Sequence, residues 1–169
     1  MKKTVLTFGF TSAAVFTLLM LGSIPFIMAM DHRKADVMGY SSMVLSALII
    51  FFGIRSYREK VGAGRLSFGR GLSVGLLITA ISCASAAIAF EIVYFGIVPD
   101  FGDKFTACMV ERAKDAGETP EKIEKVASQA RMLKGLYDNP LTNAALTFAT
   151  SFPIGLAVSA ISAAILRKR

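Results

Sequence analysis

Residues 4–30, 37–54, 68–98 and 140–166 are four long runs in which charged positions all but vanish, separated by segments where charge returns. An α-helix rises about 1.5 Å per residue and the hydrocarbon core of a bilayer is about 30 Å thick, so each run is long enough to cross it. The first run follows Met1-Lys2-Lys3 and invites comparison with a secretory signal. A signal's apolar core is about 7–15 residues long and ends at a small-residue cleavage site. This run is much longer, and Met28-Ala29-Met30 is a poor cleavage site, so it reads as a retained span with Pro25 bending its outer end. The second run stops at Arg55, and the third is broken only by Arg70 near its start and Glu91 near its end. The fourth begins at Asn139-Pro140, a capping side chain followed by proline at the first helical position, and stops at Arg167-Lys168-Arg169.

Over residues 99–139 the pattern changes from apolar throughout to amphipathic. Asp100 is placed to cap a helix through Phe101, Phe105, Cys108 and Met109, with Gly117 as its stop. Thr119-Pro120-Glu121 then starts another helix, whose apolar Ile123, Val126, Ala130, Leu133 and Tyr137 are spaced three and four apart and form one stripe. The stripes either pack on each other or on the membrane surface, or they offer a face to a partner. The predicted fold is all-α: one integral membrane domain over 1–169, a four-helix bundle with an extracytoplasmic helical hairpin between the third and fourth spans.

Composition sharpens this picture. Hydrophobic residues make up 54% of the 169, and they collect in the four runs rather than spreading evenly. The net charge of +7 raises the question of nucleic acid, but such binders gather Lys and Arg on one soluble face. Here the basic residues sit in short groups beside apolar runs, which is charge that sets topology, and no nucleic-acid partner is expected. Lys2, Lys3, Arg55, Arg58, Lys60, Arg65, Arg70, Arg167, Lys168 and Arg169 fall on one side of the predicted membrane with a single acid, Glu59. The other side holds Arg33 and Lys34 with Asp31 and Asp36, plus the mixed segment 99–139, giving nine basic residues against ten acids. Basic residues near span ends stay inside, so both termini are expected in the cytoplasm of a multi-pass inner-membrane protein.

Chemistry is sparse. The two cysteines, Cys83 and Cys108, fall in different environments, and His32 is the single histidine, so neither a disulfide nor a protein-built metal site is expected. No Ser-His-Asp arrangement and no phosphate-binding loop is present, and no catalytic residue or cofactor is assigned. Glu91 is the one acid inside an apolar run. Ionisable residues within spans are candidate functional groups by default. Glu91 nevertheless lies only eight residues before Pro99, close enough to the outer interface for a structural pairing with His32, Arg33 or Lys34. Small residues recur every fourth position in the third span (Gly71, Gly75, Thr79, Cys83, Ala87) and in the fourth (Ser151, Gly155, Ser159, Ala163). That spacing lets helices approach closely in lipid, so the two spans touch each other or one mediates oligomerisation. The basic residues Arg55, Arg58, Lys60, Arg65 and Arg70 suit anionic lipid headgroups at the membrane surface. Tyr40, Tyr57, Tyr94 and Tyr137 lie near span ends, where amphipathic rings settle at the interface.

Several strings occur in a fixed order: Gly39-Tyr40-Ser41-Ser42-Met43, Phe52-Gly53-Ile54-Arg55-Ser56-Tyr57-Arg58-Glu59 and Ser67-Phe68-Gly69-Arg70. Glu91-Ile92-Val93-Tyr94, Pro99-Asp100-Phe101, Asn139-Pro140-Leu141-Thr142-Asn143 and Pro153-Ile154-Gly155 follow. Together they resemble a bacterial membrane family catalogued as domain of unknown function 4199, over nearly the whole chain. The resemblance implies a four-span inner-membrane protein without an assigned activity. It also implies a glutamate at the position of Thr150 in many members, which this chain lacks as a charge partner for Glu91.

Two functional expectations stand side by side. One is a non-enzymatic scaffold or accessory subunit, working as a homo-oligomer or beside a larger membrane protein. The other is a small carrier or channel for a proton, ion or lipid, with Glu91 as the coupling charge and a polar cavity reaching the midplane. A lipid-acting enzyme is a distant third.

Overall fold

The computed structural model describes residues 2–28 and 32–168, with side chains described for all of these except 23–24, 26–28, 32–36, 38–40 and 42–43. The described chain is helical almost throughout: α1 Lys2–Met28, α2 His32–Lys60, α3 Phe68–Glu91, a π-helical turn Ile92–Ile97, α4 Phe101–Asp115, α5 Pro120–Tyr137 and α6 Pro140–Leu166. No strand occurs among the described residues. Three segments are long and apolar enough to cross a membrane: Lys2–Gly22, Phe68–Ile97 and Pro140–Leu166. The apolar run at 37–54 lies on α2, and several of its side chains fall outside the described residues.

Local chemistry explains the helix limits. The Asn139 side-chain oxygen accepts from the Leu141 and Thr142 N–H groups at 3.0 and 3.3 Å, with Pro140 opening α6 behind it. Thr119 caps α5 by accepting from the Lys122 N–H. Gly117 takes φ +69, the left-handed conformation that ends α4 cheaply in a residue without a Cβ. Asp100 does not cap α4 as expected. Its carboxylate turns instead to the Lys104 ammonium one helical turn on, at 2.6 Å, and this bond to a full charge replaces the weaker one to a backbone N–H. Helix α2 also outruns its apolar stretch. The Arg55 to Lys60 turn stays helical, where Arg55 pairs with Glu59 four residues later at 2.9 Å.

The long helices pack as neighbours, α3 against α6, α1 against α2 and α3, and α2 against α6, while α4 lies along α5. Two apolar clusters mark opposite ends. At one end Val5 from α1, Ile50, Ile54 and Tyr57 from α2, Leu66 from the α2–α3 loop, Val74 and Ile78 from α3 and Leu166 from α6 come together. A pair of backbone hydrogen bonds between Leu66 and Lys168, at 2.8 and 3.0 Å, clips the end of the chain to that loop. At the other end Val93, Tyr94, Val98 and Phe101 pack with Met20, Phe90 and Tyr137. Tyr57 and Tyr94 are thus buried inside these clusters rather than presented to an interface, and Tyr137 is half-buried; Tyr40 lies outside the described residues.

Candidate functional site

The seam between α3 and α6 is built from the smallest side chains. A Cβ placed on Gly71 would sit 3.1 Å from the Ala163 Cβ, and one on Gly75 only 2.7 Å from the Ser159 Cβ. One on Gly155 would collide with Thr79. The two backbones therefore approach closely enough that a Cβ is tight at Gly71 and does not fit at Gly75 or Gly155 unless a neighbour shifts. The Thr79 and Ser159 hydroxyls hydrogen-bond across the seam at 3.3 Å, both buried. Both stripes read from the sequence thus face each other within one chain. Cys83 and Ala87 continue the buried face of α3, and Ser151 is half-buried on α6.

Midway along the long helices the packing opens. A cavity of about 280 Å³ lies where α1, α2, α3 and α6 meet, with Thr79, Cys83, Ser151 and Gly155 from the seam in its wall. Periodicity along one helix cannot reveal such a space, because it depends on four helices failing to fill a common volume.

Glu91 is the last residue of α3, one turn beyond the buried Ala87, and it lines neither this cavity nor the aromatic pocket described below. Its Oε1 atom is buried without a hydrogen-bond partner among the described residues. The expected pairing with His32, Arg33 or Lys34 lies outside the described side chains. Thr150 gives the carboxyl nothing: it is exposed and donates to the Leu146 carbonyl of its own helix at 2.8 Å. Directly after Glu91 the backbone widens into the π turn, where the Val98 N–H donates to the Val93 carbonyl at 2.9 Å. Such turns are rare and recur at functional sites. Here the turn brings Val93, Tyr94 and Val98 inward together.

Beyond the π turn this end of the bundle is tied by polar contacts that the sequence reading did not foresee. The Tyr94 hydroxyl donates to Asp138 at 2.7 Å, and the fully buried Asn143 donates from Nδ2 to the Tyr137 carbonyl at 3.0 Å. Lys134 reaches Asp103 at 3.0 Å and Asp138 at 3.7 Å, joining α4 to α5, and the Asp103 carboxylate beside it raises the ammonium's pKa. Phe90, Tyr94, Phe101, Phe105 and Tyr137 wall a pocket of about 150 Å³ around the Lys134 stem. The only hint in the sequence was Asn139-Pro140-Leu141-Thr142-Asn143, whose second asparagine lies beyond any capping role. On α5, Ala130 is buried and Ile123, Val126 and Tyr137 are half-buried, as one stripe requires, but Leu133 is exposed.

The opposite end carries the basic loop. Arg55 and Arg58 share Glu59, at 2.9 and 3.7 Å, and the Arg55 guanidinium holds the Glu59 carboxyl below its ordinary pKa. Lys60, Arg65 and Arg70 are exposed around the clipped loop. Among the described residues no group of three His, Cys, Asp or Glu side chains could hold a metal ion.

No curated protein and no solved structure matches this chain. One family does, over residues 7–168, which takes in every helix just described except the first five residues of α1. With its apolar, membrane-length helices, the chain is a membrane protein that belongs to the family described as protein of unknown function (DUF4199).

Proposed function

We propose that the chain is a four-span protein of the bacterial inner membrane with both termini in the cytoplasm. In this reading it acts without catalysis as a small scaffold or accessory subunit, as an oligomer or beside a larger membrane protein. The end clusters support four crossings: Val5 near the start of α1 packs with Ile54 and Tyr57 near the end of α2, as it would if α1 left that end and α2 returned to it. Helices α3 and α6 repeat the excursion, with α4 and α5 as a hairpin on the far side. The near end gathers Lys2, Lys3, the basic loop and Arg167-Lys168 with Glu59 as its one acid, which orients it inward.

The scaffold role rests on one observation. Helices α4 and α5, seated on the π turn, leave Met132 70% exposed with Leu133 and Leu136 also uncovered, an apolar face outside the spans. Placing a photoreactive side chain at Met132 or Leu136 in intact membranes tests it. A discrete protein adduct is expected, and adducts with lipid alone would refute it.

The carrier reading keeps a specific observation in its favour, the Oε1 of Glu91, which has no hydrogen-bond partner among the described residues and lies at the mouth of a π turn. Glu91→Gln separates the two. A coupling acid loses transport in reconstituted vesicles with assembly intact, whereas a structural acid loses stability.

A further inference from the structure

We infer that the cavity between α1, α2, α3 and α6 is a binding site for a small uncharged molecule with an apolar body and a single hydrogen-bond donor, such as an aromatic alcohol. Protein interiors rarely leave voids larger than a water molecule, because lining atoms lose their dispersion contacts. A dry engineered cavity of about 150 Å³ is enough to bind benzene. This one, at about 280 Å³, is larger and partly open to its surroundings.

Its wall defines the ligand. Each of the four helices supplies a hydroxyl, Ser12, Ser46, Ser82 and Ser151, set among aliphatic and aromatic groups such as Phe16 and Val158. Among the described residues no charged side chain lines it, so an ion entering would lose its hydration without any counter-charge, which is costly. The occupant is therefore neutral. The Ser82 hydroxyl already donates to the Ile78 carbonyl at 2.9 Å, with the Gly9 carbonyl at 3.3 Å. Its proton is committed and its oxygen lone pairs remain, so Ser82 is placed to accept from a ligand that donates. Access from the lipid phase suits a molecule that partitions there. The site is independent of the scaffold reading and of Glu91, which does not line it.

Cys83 in the wall is a native reporter, and Cys108 on α4, outside the cavity, is the internal control. The unmodified protein in lipid nanodiscs is treated with the small neutral reagent methyl methanethiosulfonate, and each thiol is followed by peptide mass. Benzyl alcohol is expected to slow Cys83 modification saturably, about tenfold at about ten times its dissociation constant, and to leave Cys108 unchanged. Benzyl methyl ether, with no donor, is expected to protect far less. Equal slowing of both thiols, slowing without saturation, equal protection by the ether, or a Cys83 that never reacts would each overturn the inference.

Discussion

Gly75→Val puts the α3–α6 seam under a defined load. The new Cβ alone would lie 2.7 Å from the Ser159 Cβ and Oγ and 2.9 Å from the Ile54 Cδ1, where carbon contacts normally settle at about 3.5–4.0 Å. Neither the Ser159 Cβ nor the backbone behind it can swing aside, so the helices must part by about 1 Å, stretching the Thr79–Ser159 hydrogen bond. Overpacking of this kind costs about 1–3 kcal/mol. Replacing glycine in a helix returns only about 0.3–0.5 kcal/mol when valine takes its place. The clash wins, and a net loss of about 2 kcal/mol is expected from reversible unfolding in mixed micelles, followed by circular dichroism. Gly135→Ala is the control: nothing lies within 4 Å of its new Cβ, so α5 should gain up to about 1 kcal/mol from propensity alone. Adding Ser159→Gly to Gly75→Val should recover part of the loss as a positive coupling. A harmless Gly75→Val, or a double variant whose losses merely add, would refute the close seam.

Other perturbations test the remaining contacts. Asn143→Ala removes a fully buried side chain and leaves the partly buried Tyr137 carbonyl without its donor, and should cost about 1–3 kcal/mol in the same unfolding assay. Tyr94→Phe removes the bond to Asp138, whose carboxylate is half-exposed and can turn to water, so the loss should be nearer 1 kcal/mol and appear as faster hydrogen exchange in α5. Lys104 holds the Asp100 carboxyl below its ordinary pKa, so its contribution is complete above the usual carboxylate range of about 4 and fades as pH falls through the lowered value. Protection at the first turn of α4, taken relative to the intrinsic exchange rate at each pH, should therefore fall on acidification, and less so at high salt, the pair being exposed.

The helices that carry the four runs could be read from the sequence because apolar length and terminal caps are local properties: Asn139-Pro140, Thr119-Pro120 and Gly117 act within a few residues of themselves. Asp100 misled because two partners, a backbone N–H and the Lys104 ammonium, compete within a single turn, and spacing does not say which wins. The every-fourth-residue spacing of Gly71, Gly75 and Thr79 is visible in the chain. Which of Ala163, Ser159 and Gly155 each one meets depends on the register of two antiparallel helices. Tyr57 and Tyr94 look like interfacial rings from their place near span ends, yet the ends of the helices converge into clusters that bury them. The cavity and the Tyr94–Asp138 bond were beyond reading, since each joins residues far apart in sequence.

Fusing a reporter at each of two places, after Arg169 and in the turn at Gly117, and reading both in living bacteria tests the four-crossing arrangement most directly. A fluorescent protein that folds only in the cytoplasm should light at the first place and stay dark at the second, with alkaline phosphatase giving the opposite result. Fluorescence at Gly117, or phosphatase activity after Arg169, would mean that the basic end does not lie inside with α4 and α5 across the membrane from it.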